Sequence, residues 1–390
     1  MIDGAGFRVP FNKPFIAGNE LSYIKQAVIS NGHISGGGEF TQKCQSWLVN
    51  NLRSGAAFLT NSCTAALEMS AILCDLHSGD EVIMPSFTFV STANAFALRG
   101  ATPVFVDIRP DSLNINETLI VPAITPKTKA IVPVHYGGVA CAMDEILLIA
   151  KNFGLIVIED AAQALLSNYK GKFLGSIGHI GCLSFHETKN VISGEGGALL
   201  VNRDLGPELL DRAEIVWEKG TNRKAFFQGH ADKYTWVQLG SSFLPSEIAA
   251  AFLLAQFEYA HEILDKRRRL FSLYRQSLKP LEDSGFIKLP QAPDPDSDSD
   301  SNGHLFYILT SNANERGKLI DFLARQGVMA VFHYVPLHSS PAGKKYGRTS
   351  DDLTVTDDIS SRLLRLPLYF EMEPDDVAIV SEAVHKFYFR

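Results

Sequence analysis

"SFHETKN", residues 184–190, stands between two glycine-rich apolar stretches, "GSIGHIGCL" (175–183) and "VISGEGGALLV" (191–201). The runs "GCLSF" and "GALLV" predict two strands of a buried sheet. Between them, at the lip of that sheet, come His186, Glu187, Thr188 and Lys189. An amine placed beside a core is paired, exposed or covalently used, because an isolated buried ammonium is too costly. Lys189 is therefore either an ordinary surface lysine on a loop or a group with chemistry to perform.

Upstream, short apolar runs alternate with helical patterns from residue 55 to about 202. "GAAFLT" precedes "TAALEMSAILCDL", and "DEVIMPS" precedes "STANAFALRG". "TPVFVDI" precedes "NETLIVPAI", "KAIVPVHY" precedes "MDEILLIAKNFG", and "LIVIED" follows. Strands buried on both faces and joined by helical crossovers predict an α/β fold with a mostly parallel sheet. Downstream, "SEIAAAFLLAQFEYAHEILDKRRRLFSLYRQSL" predicts one long helix leading to a smaller unit. The Pro/Asp/Ser run "QAPDPDSDSDSNG" predicts a mobile surface loop, since it offers nothing to bury. Strand, helix and strand follow in "HLFYILT", "GKLIDFLARQG" and "VMAVFHYV", and "PDDVAIVSEAVHKFYF" closes the chain as a helix. The expected division is a large domain over residues 1–245 and a connecting helix with a small α+β domain over 246–390.

Composition narrows the function. The 390 residues carry 36 Lys+Arg against 43 Asp+Glu, a net charge of −7, which argues against a nucleic-acid partner. A small anionic ligand remains compatible, because a local field can oppose the net charge. Five widely spaced cysteines without a CxxC pair predict a reduced, cytoplasmic protein. The N-terminus has no secretory pattern, and no apolar run is long enough to span a bilayer.

Four signals could carry chemistry. Asp160, ending "LIVIED", is either the cap of a helix starting in "AAQALL" or a partner for a cation at a strand end. "TNSCTAAL" (60–67) marks a helix start where Ser62 or Thr64 caps, or where an anion binds. Phe87 and Phe89 follow a strand and would by default pack in the core. Lys189 is the fourth. "GSIGHIG" is no dinucleotide fingerprint, because it does not open a helix after a strand. Jointly the four suit pyridoxal phosphate (PLP), which has a phosphate, a flat ring, a pyridinium nitrogen and an aldehyde.

On these residues the sequence resembles the sugar-nucleotide aminotransferases, a branch of the aspartate-aminotransferase-like (fold type I) PLP enzymes. "SCTAAL", "PSFTFVSTANA", "VPVHYGG", "EDAAQ", "SFHETKN" and "GEGG" carry the resemblance, which runs from "FNKPF" to "RLLRLPLY". The resemblance implies that Lys189 holds the cofactor's aldehyde and shuttles the proton. It implies that Asp160 partners the pyridinium nitrogen and Gln163 lies near the ring hydroxyl. Thr64, the backbone at Cys63, and Ser184 correspond to the phosphate cradle, Phe89 to the ring-stacking position and His333 to the sugar pocket. The substrates implied are a nucleotide-linked keto sugar and glutamate, in a homodimer with its active sites at the interface. Related sugar dehydratases carry His at the lysine position, so Lys189 argues for transamination. A PLP-binding regulator would add a DNA-binding module, for which neither length nor a basic face is present. One departure concerns "GSSFLPSE" (240–247), where many members have G-x-N-x-R-M with an Asn reaching the neighbouring subunit's phosphate. Ser242 stands at the Asn position, and Leu244 and Pro245 replace Arg and Met. A second is the acidity of 296–303, which reads as a lineage-specific loop.

Overall fold

The β-branched and apolar runs form strands because each can bury both faces. In the computed structural model, which describes residues 6–202, 206–227, 229, 232–291 and 299–389, thirteen strands appear among those residues. They are β1 (Ala56–Thr60), β2 (Glu81–Pro85), β3 (Thr102–Val106), β4 (Thr128–Ile131), β5 (Ile156–Asp160), β6 (Asn168–Tyr169), β7 (Lys172–Phe173), β8 (Ile180–Ser184), β9 (Gly197–Val201), β10 (Phe306–Leu309), β11 (Val331–Phe332), β12 (Arg348–Thr349) and β13 (Leu363–Leu366). Eight form one sheet in the order β1-β9-β8-β5-β4-β2-β3-β12. All neighbours in it run parallel except β9, which is antiparallel to both β1 and β8.

The period of two along the strands sends alternate side chains of this sheet into cores on its two faces. Phe58, Met84, Ile158, Cys182 and Leu199 point to one face, with the helix Cys63–Leu73. Ala57, Leu59, Leu183 and Leu200 point to the other, against the helices Glu39–Leu52 and Glu247–Glu258. Between β4 and β5 the helix Met143–Phe153 stops at Gly154, whose φ of 66° suits a residue without Cβ. Its N–H returns to the carbonyl of Ala150.

The long helical pattern forms two helices, Glu247–Glu258 and Ala260–Asp283, parted at Tyr259 (φ −103°, ψ 3°). The second helix begins in the same core as the first, through Ala260, Ile263 and Leu264. The first packs with the large sheet, and the second carries Leu270, Tyr274, Leu278 and Leu281 into the core of a three-stranded antiparallel sheet, β10-β13-β11. Two pairings distant in sequence tie segments together. Val9 pairs with Val328 beside the small sheet, and β12 returns to pair with β3 of the large one.

Other elements depart from expectation. "NETLIVPAI" forms only a single 3-10 turn and the short helix Ile120–Ala123, because Pro126 disfavours helix at Thr125. "AAQALL" forms turns, not a helix. The run expected as a mobile loop lies largely outside the described residues. Its last residues pack tightly: Asn302 is buried, and its Nδ2 donates to the carbonyls of Gln163 and Leu165 (3.0 Å each). Among the described residues no helix is long and apolar enough to cross a membrane.

Candidate active site

Consecutive side chains of a strand point to opposite faces, and at the end of β5 this separates two carboxylates. Asp160 turns to the cavity described below. Its Oδ2 accepts from Thr92 Oγ1 (2.7 Å) and its Oδ1 from the N–H of Ala162 (3.2 Å). Thr92 spends its hydroxyl proton on Asp160, so Thr88, 2.8 Å away, donates to Thr92. The carboxylate thus caps a turn, with two donors that leave part of its acceptor capacity free.

β1 delivers the chain to the helix Cys63–Leu73. Ser62 is the cap, its Oγ accepting from the N–H of Ala65 (3.1 Å). First-turn N–H groups have no partner inside a helix, so those of Cys63 and Thr64 are open to a ligand. Thr64 Oγ1 lies 2.7 Å from Ser91 Oγ. Gly197 of β9 lets this helix start lie against the sheet, since a Cβ there would come within 2.4 Å of Cys63 N. Ser184, at the end of β8, faces the same space.

Lys189 lies on the connection from β8 to β9, with its backbone N–H donating to the carbonyl of His186 (2.8 Å). Its amine has no hydrogen-bond or ion-pair partner among the described residues and borders the cavity. Burial pushes this amine below the ordinary lysine range; Asp160 opposes the shift and Arg365 adds to it.

The smaller layer supplies the facing wall. β11 ends at Phe332, and Tyr334 takes a left-handed φ of 43°, turning the chain so that His333 and Tyr334 both border the cavity. Their rings stack with centroids 3.6 Å apart. Tyr334 OH accepts from Gln163 Nε2 (2.8 Å), while Gln163 Oε1 accepts from the N–H of Gly137 (2.7 Å). His333 Nδ1 lies 2.7 Å from Tyr136 OH. Burial, with Arg365 and Lys189 nearby, pushes the His333 imidazole well below its usual range and keeps it neutral.

These walls enclose about 710 Å³. The cavity gathers Cys63, Thr64, Phe89, Asp160, Gln163, Ser184, Lys189 and His333, all read from the sequence as site candidates. Phe89 is 56% exposed and borders this space, whereas Phe87 is buried in the core. Ser242 stands outside, exposed, its carbonyl accepting from Asn61 Nδ2 (3.1 Å). Sequence reasoning missed Thr92, Tyr136, Tyr334, Arg267 and Arg365. Thr88 and Thr92 had a signal in their one-turn spacing, and Arg365 in being the lone charge of the strand "LLRL". Lys189, Arg267 and Arg365 face only Asp160 and Glu195 as acids, so the cavity favours anions.

Comparison with known proteins agrees with this geometry. Residues 15–385 match the DegT/DnrJ/EryC1/StrS aminotransferase family. The spore coat polysaccharide biosynthesis protein SpsC of Bacillus subtilis is 32% identical over 395 residues, 98% of each chain. GDP-perosamine synthase of Escherichia coli O157:H7 is 30% identical over 380 residues, 97% of this chain and 98% of its own. A Streptococcus pneumoniae protein solved in PLP form superposes with a TM-score of 0.87 at 26% identity, covering 97% of this chain and 99% of that one. The chain belongs to the DegT/DnrJ/EryC1/StrS aminotransferase family, and it is a sugar aminotransferase whose cofactor is pyridoxal phosphate.

Proposed function

We propose that this enzyme moves the amino group of glutamate to C4 of dTDP-4-keto-6-deoxy-D-glucose. The product is dTDP-4-amino-4,6-dideoxy-D-galactose, for surface polysaccharide synthesis. The reading is of a cytoplasmic homodimer. The observation that carries it is the unpartnered Lys189 amine, facing the same cavity as Asp160 and an open helix start. The choice of sugar is supported by "SFHETKN", "EKGTNR" (218–223) and "DKYTW" (232–236), which look like the transaminase making that product. Relatives named for GDP-perosamine and for spore coat polysaccharide support a nucleotide-linked amino sugar.

The residues fit the cofactor. The Cys63 and Thr64 N–H groups, Thr64 Oγ1 and Ser184 Oγ suit a phosphate at a helix N-terminus. Phe89 offers a ring face, and Asp160, already held by Thr92 and Ala162, offers a fixed charge for a pyridinium N–H. Gln163, fixed at both ends by Gly137 and Tyr334, lies on the same wall. When bound, pyridoxal phosphate takes the amine from one substrate, gives it to the next and draws electrons from the reacting carbon.

The chain's own part is binding and proton handling. Lys189 holds the aldehyde at rest. Once displaced, its Nζ is an amine whose burial favours the neutral form, so it can take a proton from the donor's α-carbon and later deliver one to sugar C4. Asp160 holds the ring N–H proton in place throughout. His333, neutral and oriented by Tyr136, offers the sugar a hydrogen-bonding group. The test combines purified enzyme, PLP, glutamate and dTDP-4-keto-6-deoxy-D-glucose, with the product identified by NMR. The axial 4-amino sugar is the expected result. An equatorial amine, or one at C3, would keep the transaminase and replace the sugar assignment.

A further inference from the structure

Two buried imidazoles border the cavity, His304 and His333, and only His333 has a part in the chemistry above. Their neighbours fix where each keeps its proton. His333 Nδ1 lies 2.7 Å from the hydroxyl of Tyr136, which is buried and has no other hydrogen-bond partner among the described residues. Were that phenol to accept, its own proton would find no acceptor. Tyr136 therefore donates to Nδ1, and the proton of His333 sits on Nε2.

His304 is set the other way. Its Nδ1 lies 2.9 Å from Asn190 Oδ1. Asn190 Nδ2 donates to the carbonyl of Asn302 (3.3 Å), which can only accept, so the amide cannot turn its nitrogen to the histidine. Oδ1 accepts, Nδ1 of His304 carries the proton, and Nε2 is left as a bare acceptor. Burial, with the charges of Lys189, Arg267 and Arg365 nearby, pushes this imidazole well below its usual range and keeps it neutral. Both Nε2 atoms lack a hydrogen-bond partner among the described residues yet keep open surface, and both rings border the cavity.

The wall thus presents one neutral donor and one neutral acceptor. A carboxylate has lone pairs only, so His304 Nε2 repels either carboxylate of an amino donor. A hydroxyl has a proton as well as lone pairs, and it suits the acceptor. The position of His304 says which hydroxyl. Asn190, which holds it, directly follows Lys189 on the connection from β8 to β9, so His304 stands beside the amine that must reach the reacting carbon. In a 4-keto-6-deoxyhexose, C4 has two ring neighbours. C5 carries the methyl group and C3 carries a hydroxyl.

We propose that His304 accepts a hydrogen bond from the sugar's 3-hydroxyl and so selects a substrate with a free hydroxyl beside the carbon to be aminated. The assignment rests on the reading that a dTDP-linked sugar is aminated at C4. It is tested by calorimetry on the PLP-loaded enzyme with a nucleotide sugar that has no amine to transfer, dTDP-6-deoxy-D-galactose, beside its 3-deoxy-3-fluoro analogue. Fluorine is small enough to fit and accepts weakly, but it has no proton to give.

Wild-type enzyme is expected to bind the fluoro sugar about 10- to 100-fold more weakly, because a buried acceptor is left without its donor. His304→Phe keeps a flat ring and removes both nitrogens. It is expected to lose about that factor with the hydroxyl sugar and to bind the two sugars within about threefold of each other. A histidine that only braced Asn190 would leave the preference intact, so an undiminished preference in the variant overturns the proposal. Equal binding of the two sugars by wild-type enzyme overturns it as well, even if His304→Phe fails to fold. Wild-type enzyme that loses its visible cofactor band with glutamate but binds neither dTDP sugar overturns the sugar reading itself, a result distinct from both.

Discussion

Glu159 and Asp160 are neighbours on β5, carry the same chemistry and do different work. Glu159 is fully buried and accepts from four donors: His135 Nε2 (2.9 Å) and the N–H groups of Gly175 (2.8 Å), Ile177 (2.8 Å) and Gly178 (2.6 Å). His135 Nδ1 itself accepts from the N–H of Cys141 (3.2 Å), so the proton of this imidazole sits on Nε2, aimed at Glu159. Asp160, on the cavity side, has two donors. A carboxylate whose lone pairs are all occupied holds a fold together; one that is clamped but incompletely satisfied can still bind. The arginines differ likewise, with Arg267 held by two main-chain carbonyls and the Arg365 guanidinium without a hydrogen-bond partner among the described residues.

Substitutions can break or sharpen this division. The largest effect is expected from Lys189→Met, which should abolish turnover. In wild type, borohydride reduction should fix the cofactor on Lys189, as peptide mapping reads; a tag on another lysine would remove the basis of the site. Asp160→Asn follows, with a loss of at least about 3 kcal/mol in transition-state stabilisation, roughly a hundredfold in kcat, and little change in melting temperature. Near-wild-type turnover would reduce Asp160 to a turn cap. Glu159→Gln should do the reverse. Its amide nitrogen would face N–H donors, costing about 2 kcal/mol of stability by denaturant titration while folded enzyme keeps its activity.

A smaller effect separates the cofactor-free state. Without PLP, the enclosed and unpaired Lys189 amine has its pKa lowered from 10.5. The unfolded chain then binds more protons, so stability rises with pH from the lowered value up to about 10.5. Lys189→Met should therefore stabilise the cofactor-free protein near neutral pH by on the order of 1 kcal/mol, and the advantage should shrink as pH climbs. A melting series across that window that runs flat would show the amine to be solvated. The smallest effect is expected at Ser242. If its hydroxyl reaches the cofactor phosphate of a second subunit in the homodimer proposed above, Ser242→Ala should weaken PLP retention by up to about tenfold without changing the oligomeric state. Equilibrium dialysis with sedimentation reads both, and unchanged affinity would remove Ser242 from the site.

The large sheet was legible because its strands are short apolar runs punctuated by Gly, Pro and Asp, and a strand end announces a site. The cavity's floor was legible for the same reason: Cys63, Thr64, Asp160, Ser184 and Lys189 all lie at or just beyond strand ends. The opposite wall was not. Tyr334 faces the cavity only because the chain takes a left-handed turn there, and Arg365 only because β13 lies in the middle of a sheet whose strands are far apart in sequence. Neither placement is local. The parting at Tyr259 escaped prediction likewise, because "AQFEYAHEIL" reads as continuous helix.

The pairings of Val9 with Val328 and of β12 with β3 have a consequence for synthesis on the ribosome. Val9 is made long before its partner Val328, and β12, which completes the edge of the large sheet beside β3, is made later still. At about 5–20 residues per second, the N-terminal segment waits roughly 15–65 s for its partner. During that interval β3 is an open edge of a parallel sheet, the kind of surface that recruits foreign strands. Nascent chains stalled before residue 348 should therefore aggregate, or bind chaperones, more readily than chains stalled after 366.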